Sequence, residues 1–158
     1  MTQALYRFAT EDDVPAILDL IRQLAIYEKA ADQVVATEEL LRESLFENHA
    51  AEVLLVEKDG RPVGFAVFFT SFSTWLGRAG IFLEDLFVLP DERGKGYGKG
   101  LLTRLAQIAV ERGCGRLEWN CLNWNQPSID FYLSLGAVPM NEWTIYRLDA
   151  NALEKLVK

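Results

Sequence analysis

The sequence has 158 residues, with 16 Lys and Arg against 23 Asp and Glu, so its formal net charge at pH 7 is −7. Half of the residues are hydrophobic and 11% are aromatic, which excludes an intrinsically disordered chain and favours one domain over residues 1–158. The acidic balance excludes a general nucleic-acid binder, which needs a basic surface.

Hydrophobic periodicity predicts a mixed α/β chain with a strand–helix–strand unit at its centre. The first half is predicted to contain a strand over 4–9, a helix from Thr10 to about Tyr27, a helix from Thr37, and strands over 53–58 and 62–70 that are joined at Asp59-Gly60. A strand over 81–89, a helix ended by Gly113 and a strand over 116–122 follow. The predicted elements then end with a helix from Pro127 to about Leu135, a strand over 142–148 and a short helical tail. No linker or repeat divides them.

The chain lacks the features of an exported, membrane or metal-binding protein. Its N-terminus has no charged-then-apolar pattern, and no apolar run approaches the roughly 18 residues of a membrane helix. Cys114, Cys121 and His49 are its only cysteines and histidine, too few for a disulfide framework or a zinc site. We expect a cytoplasmic protein with two free thiols, no metal and no membrane partner.

Charge is unevenly distributed along the chain. Residues 11–48 contain ten acidic and three basic residues, whereas residues 93–112 contain five basic residues and one acidic residue. Such separation also occurs on solvated helix faces. It therefore becomes informative only where a segment also contains a candidate site.

The basic segment begins with a glycine-rich loop between a strand and a helix. It consists of Arg93, Gly94, Lys95, Gly96, Tyr97, Gly98 and Lys99. Glycines let backbone amides approach an anion closely, and the N-terminus of the following helix adds its dipole. The spacing is neither that of a P-loop nor that of a dinucleotide-binding fold. We therefore expect a pyrophosphate of another kind.

The pattern R-x-x-G-x-G after a strand resembles the acetyl-CoA loop of the GNAT N-acetyltransferases. Asn125, Ser128 and Tyr132 match the N-x-x-[AS]-x-x-x-Y pattern that many members have on a later helix, and offsets of three and seven place them on one face. Together with Tyr27-Glu28, LEDLFV and WNQPSIDFY, these matches resemble the diamine (spermidine/spermine) acetyltransferases and their thialysine-acetylating relatives from about Leu20 to Ala137.

The resemblance implies a twisted, mostly antiparallel mixed α/β sheet, splayed between two central strands and flanked by about four helices. Acetyl-CoA would lie in the splay as cosubstrate, and the enzyme would be a homodimer. The residues implied in binding it are Leu86, Phe87, Val88, Arg93, Gly94, Lys95, Gly96, Tyr97, Gly98, Lys99, Asn125, Pro127, Ser128 and Tyr132.

Acetyl transfer to an amine needs a base, donors for the developing negative charge and an acid. Glu84 is the candidate base, since a carboxylate amid apolar neighbours holds a proton more tightly if it is buried. Tyr132 is the candidate acid, because a phenol (pKa roughly 10) can protonate a thiolate (pKa of the thiol roughly 8.5). Backbone N–H groups at Leu86–Val88 would be the donors. A β-bulge would allow the adjacent Glu84 and Asp85 both to reach the cleft, where Asp85 would bind the substrate ammonium.

The substrate expected from these residues is a small molecule with a primary amine: a polyamine, a diamine or a lysine-like amino acid. By resemblance its site comprises Tyr27, Glu28, Glu84, Asp85, Trp119, Asn120 and Glu142, a combination of acids and aromatic rings that suits an alkylammonium. Ser73 stands where the family has an acid two residues before Trp75, so one counter-charge for a long polycation is missing, and a shorter amine or a lysine-like amino acid is equally expected.

Two other functions stay open at this point. An acyl-CoA sensor would keep the glycines of the loop but would not need Glu84 or Tyr132. A protein N-acetyltransferase would need an open groove, whereas Trp75, Trp119 and Trp143 suggest a walled pocket. A hydrolase using Cys121 is discounted, because it would need His49 beside it.

Overall fold

Five strands form one sheet in the order β1-β2-β3-β4-β5 in the computed structural model, which describes residues 4–158. The strands are β1 (Ala4–Phe8), β2 (Glu52–Lys58), β3 (Arg61–Ser73), β4 (Arg78–Val88) and β5 (Leu117–Trp119). The helices are α1 (Val14–Tyr27), α2 (Glu38–Arg42, continued by a π-helical turn over Glu43–Glu47), α3 (Tyr97–Glu111), α4 (Gln126–Ser134) and α5 (Ala150–Leu156). The chain divides into two compact units, Met1–Asn120 and Cys121–Lys158.

The sheet is antiparallel from β1 to β4, and β5 joins β4 in parallel. The predicted hairpin at Asp59-Gly60 is confirmed, since these two residues connect β2 and β3 with φ angles of 54° and 75°. Positive φ at both central residues is the geometry that an Asp-Gly turn provides. The predicted mixed, mostly antiparallel sheet is therefore confirmed.

Helices α1 and α3 cover the two faces of the sheet. Val53, Leu55 and Phe65 form a buried cluster with the apolar side of α1, and the alternate residues of the same strands point to the other face. There Tyr6 of β1 contacts Gly100 of α3. The buried positions of α3 are those that its spacing predicted: Leu101, Leu102, Leu105, Ile108 and Ala109.

The unit Cys121–Lys158 contains α4 and α5, and the strand predicted over 142–148 is wrong. Residues 143–149 have no regular secondary structure. A strand is stabilised by hydrogen bonds to a partner strand, and this unit has none within it. Strand β5 is likewise shorter than the predicted 116–122, because its pairing with β4 ends at Trp119.

The helices and the two cysteines were also compared with the expectations from the sequence. Every helix within residues 4–158 is too short or too polar to cross a membrane. Cys114 and Cys121 are both half-buried, and neither is part of a disulfide.

Candidate active site

A β-bulge at Glu84 interrupts β4. On one side of it Leu83 pairs with Phe68, and on the other Asp85 pairs with Val67, so Glu84 has no partner position on β3. Val67 and Phe68 are consecutive and face opposite sides of the sheet. The bulge therefore turns Asp85 to the face covered by α1, where Val67 also lies. The bulge expected from the adjacent carboxylates is present.

Three acidic side chains come together at this bulge. Burial raises the pKa of Asp85 to about 6, and the negative charges of Glu84 and Glu28 add to the effect. Burial also raises the pKa of Glu28, which follows the last residue of α1. Glu84 itself is exposed, whereas Asp85 is half-buried, so the condition of burial stated for Glu84 is met more closely at Asp85.

Strand β4 separates from β5 at the bulge. The two strands pair over Ile81–Leu83 and Leu117–Trp119, and the Ile81 N–H donates across this pair to the Arg116 carbonyl (N···O 3.0 Å). Beyond Leu83, β4 continues to Val88 paired with β3. Within residues 4–158, no strand therefore pairs with the other edge of β4 beyond Leu83.

The open edge of β4 presents backbone donors. The Leu89 N–H donates to the Val63 carbonyl of β3 (2.9 Å), and successive N–H groups of a strand point to alternate sides. The N–H of Phe87 therefore also points toward β3, whereas those of Leu86 and Val88 point away from β3, toward the open edge. Of the three predicted donors, Leu86 and Val88 are the two that lie on this edge.

The loop before α3 offers backbone amides to an anion. Gly94 and Gly96 have φ angles of 78° and 86°, which glycine adopts without strain. A Cβ atom at Gly94, Gly96 or Gly98 would meet no atom within 4 Å. Gly96 is the N-cap of α3 and provides no capping side chain, so the N–H groups of Tyr97, Gly98 and Lys99 remain for an external acceptor. This arrangement fits a pyrophosphate.

A buried carboxylate organises the cations around the loop. Glu92 is 7% exposed and accepts hydrogen bonds from the ammonium groups of Lys95 (2.8 Å) and Lys58 (3.3 Å), while Arg61 lies 3.5 Å away. These bonds lower the pKa of Glu92. Lys95 is thus directed toward Glu92, whereas no ion pair engages Lys99 within residues 4–158. Sequence analysis missed Glu92, although its i,i+3 spacing to Lys95 was visible.

The side chain of Arg93 lies against the aromatic rings under α1. Its Nε donates to the Val88 carbonyl (3.1 Å), and its guanidinium carbon lies 4.5 Å from the ring centre of Tyr27 and 5.5 Å from that of Phe87. Tyr27 immediately precedes Glu28. The side chain of Arg93 therefore extends from the glycine-rich loop to Tyr27, beside the acidic region at the bulge.

The three tryptophans expected at the pocket differ in exposure. Trp75 is 84% exposed and Trp143 is 66% exposed, whereas Trp119 is half-buried opposite Leu83 and next to the bulge. Asn120 follows Trp119 and is exposed. Ser73 is buried, and its Oγ accepts from the Leu76 N–H (3.2 Å). The residue in place of the family's acid thus stabilises a turn.

The remaining predicted residues lie in the unit Cys121–Lys158. Asn125 is 6% exposed and caps α4, since its Oδ1 accepts from the Ser128 N–H (3.4 Å). Pro127 occupies the first turn of α4. Tyr132 is half-buried, with its ring centre 5.6 Å from that of Phe131, and Glu142 is exposed. The N-x-x-S spacing is therefore also that of a helix cap.

Comparisons with known proteins agree with this geometry. The family model described as "Acetyltransferase (GNAT) family" matches residues 16–137. The thialysine N-epsilon-acetyltransferase of Bos taurus is 37% identical, over 99% of this chain and 98% of that protein. The L-ornithine N5-acetyltransferase NATA1 of Arabidopsis thaliana is 32% identical, over 96% of this chain and 87% of that protein. An integron cassette protein of V. cholerae has a structure with a TM-score of 0.83 at 28% identity, over 98% of both chains.

The chain belongs to the GNAT acetyltransferase family. It is an acyltransferase that acts on amines, as its relatives are named N-acetyltransferases, and the family uses acetyl-CoA as acyl donor. The sensor function left open by the sequence is therefore set aside.

Proposed function

We propose that the protein acetylates the primary amine of a small cationic substrate at the bulge of β4. The observation that carries the proposal is the bulge itself. At the bulge the Asp85 carboxylate lies on the α1 face, and the N–H groups of Leu86 and Val88, one and three residues further along β4, point to the open edge.

The residues at the bulge have different proposed roles in acetyl transfer. Asp85 binds the ammonium of the substrate, and Glu84, through a water molecule, takes its proton. The N–H groups of Leu86 and Val88 donate to the carbonyl oxygen on which negative charge develops, an electrostatic contribution that is often the largest in catalysis. Tyr132 donates a proton to the departing sulfur.

The glycine-rich loop is proposed to bind the pyrophosphate of acetyl-CoA. The amides of Tyr97, Gly98 and Lys99 and the ammonium of Lys99 supply the positive potential, and Gly94 and Gly96 keep the approach open. The cations gathered by Glu92 raise the potential further. Asn125, Pro127 and Ser128 are proposed to contribute from α4.

A substrate with one terminal ammonium is favoured over a long polyamine. Thialysine and ornithine, named in two relatives, are diamino acids. Ser73 is committed to a turn and supplies no charge for the second ammonium of a polycation. Tyr27, Glu28, Trp119 and Asn120 remain proposed substrate residues, together with Glu142.

The test is release of free thiol from acetyl-CoA with a panel of diamines, polyamines, diamino acids, aminoglycosides and a peptide with a free N-terminus. We expect a small diamine or diamino acid to give the highest rate. Thiol release with the peptide alone would favour a protein N-acetyltransferase, and no release with any amine would contradict the proposal.

The substitution Tyr132→Phe tests whether Tyr132 is the general acid that protonates the departing sulfur. Removal of a general acid costs roughly a hundredfold in turnover, and acetyl-CoA binding, followed by calorimetry, should stay nearly unchanged. The matched control is Tyr146→Phe in the same unit, because Tyr146 is 92% exposed. Equal turnover of the two variants would refute the assignment of Tyr132.

The homodimer expected from the family also remains a proposal. It rests on the resemblance to the diamine acetyltransferases alone. Light scattering at micromolar concentration should give twice the monomer mass, and a monomer would contradict it.

A further inference from the structure

We infer that Arg93 binds the α-carboxylate of a diamino acid substrate, and that this guanidinium gives the enzyme its preference for amino acids over diamines. The inference rests on the proposed function and names its substrate class. It departs from the expectation that the Arg93 side chain contacts the pyrophosphate of acetyl-CoA.

The first argument is the position of the guanidinium. It lies over the ring of Tyr27 and beside that of Phe87, with Nε held by the Val88 carbonyl. Stacking and a single anchoring bond fix the plane of the group but use only one of its five donors. Within residues 4–158 no carboxylate pairs with Arg93, so its two terminal nitrogens remain available to a planar anion.

The second argument is the distance to the acidic region. Asp85 and Phe87 lie on the same face of β4, about 6.6 Å apart along the strand. Arg93 stacks on Phe87, and Glu28 follows Tyr27 in the chain. A ligand of three or four methylene groups can therefore extend from the carboxylate of Asp85 to the guanidinium of Arg93.

The third argument is charge. Glu28, Glu84 and Asp85 provide negative charge at one end of this region, and Arg93 provides positive charge at the other. A diamino acid matches both ends, with its terminal ammonium at the acids and its carboxylate at Arg93. A diamine or polyamine would bring its second ammonium toward the guanidinium without a carboxylate beside it to offset the repulsion. Like charges brought together in this way disfavour the wrong ligand.

The experiment compares substrate pairs that differ only in the carboxylate: ornithine with 1,4-diaminobutane, and lysine with 1,5-diaminopentane. For the wild-type enzyme we expect the amino acid of each pair to have the higher kcat/KM. In Arg93→Gln this preference should fall by on the order of ten- to a hundredfold, the effect of losing a hydrogen bond between charged groups. The loss should appear in KM for the amino acid, with the diamine changed little.

Two further variants separate the possible roles of a cation near the loop. Arg93→Lys keeps the charge without the planar fork and should restore part of the preference. Lys99→Gln should weaken acetyl-CoA binding and leave the ratio between amino acid and diamine unchanged. Acetyl-CoA affinity of Arg93→Gln, measured by calorimetry, should equal that of the wild type.

Other outcomes overturn the inference. If Arg93→Gln lowers kcat/KM equally for both members of each pair, Arg93 only supports the fold. If it weakens acetyl-CoA binding instead, Arg93 is a pyrophosphate ligand. Should the wild type acetylate no amine, the proposed function fails, and calorimetry of ornithine against 1,4-diaminobutane still decides the inference. Equal affinities of the wild type for the two would then refute it.

Discussion

The half-buried carboxylate of Asp85 at the bulge should be held at a cost to stability, and Asp85→Asn measures that cost. Asp85 has a pKa of about 6 in the folded protein against an ordinary value of 3.8. At about 1.36 kcal/mol per pKa unit, ionising it in place costs up to roughly 3 kcal/mol. Asparagine has nearly the same shape and no charge, so Asp85→Asn should be more stable than the wild type by up to that amount at pH 7.5. For a chain of this length the corresponding rise in Tm is about 6–12 °C.

The raised pKa of Asp85 determines in which direction the stability of the wild type changes with pH. Between pH 4 and pH 6 the folded state keeps the proton on Asp85 and the unfolded state does not, so wild-type stability falls as pH rises through this range. The advantage of Asp85→Asn should therefore be absent near pH 4, grow toward pH 6 and stay constant above pH 7. Urea unfolding at each pH measures it.

The control is Asp91→Asn, which removes an exposed carboxylate close by and should change stability by less than about 0.5 kcal/mol at any pH. A difference between wild type and Asp85→Asn that does not change with pH would refute the reasoning. So would a variant less stable than the wild type at pH 7.5. Acetyl transfer by Asp85→Asn should fall in either case, because the ammonium loses its counter-charge.

Two further predictions concern the start of α3. A Cβ at Gly100 would overlap the hydroxyl and ring of Tyr6, so Gly100→Ala should destabilise the protein by about 1–3 kcal/mol. In a Tyr6→Ala background the same change should stabilise it by up to about 1 kcal/mol, the helix propensity difference; equal effects in both backgrounds would exclude the clash. Glu92→Gln should lower Tm at pH 7, because it leaves the ammonium of Lys95 without its carboxylate. The loss should shrink below pH 4 as Glu92 itself is protonated in the wild type, and an unchanged Tm at pH 7 would contradict the role of Glu92.

Local patterns predicted the parts of the fold that depend on local chemistry. The apolar face of α3 follows from a spacing of three and four residues, and the Asp59-Gly60 turn follows from the backbone freedom of those two residues. The bulge could also be anticipated, because two adjacent carboxylates cannot face one cleft from a regular strand.

Contacts between distant parts of the chain could not be predicted in this way. Nothing in the pattern around Arg93 shows that its side chain reaches Tyr27, which is separated from it along the chain by α2 and three strands. The segment 142–148 has the composition of a strand, but composition does not supply a partner. Which of the two adjacent carboxylates is the less exposed could not be predicted either, because it depends on the position of the bulge in β4, and the structure leaves Glu84 exposed and Asp85 half-buried.

The bulge also changes how mutations in β4 should be understood. A substitution at position 84 removes a carboxylate and leaves every other residue of the strand in place. A deletion at the same position would instead restore the regular alternation of the strand. Asp85 would still pair with Val67 and Phe87 with Phe65, so neither residue would change face. Position 84 is therefore a place where the chemistry of the side chain can be tested without disturbing the pairing of β4 with β3.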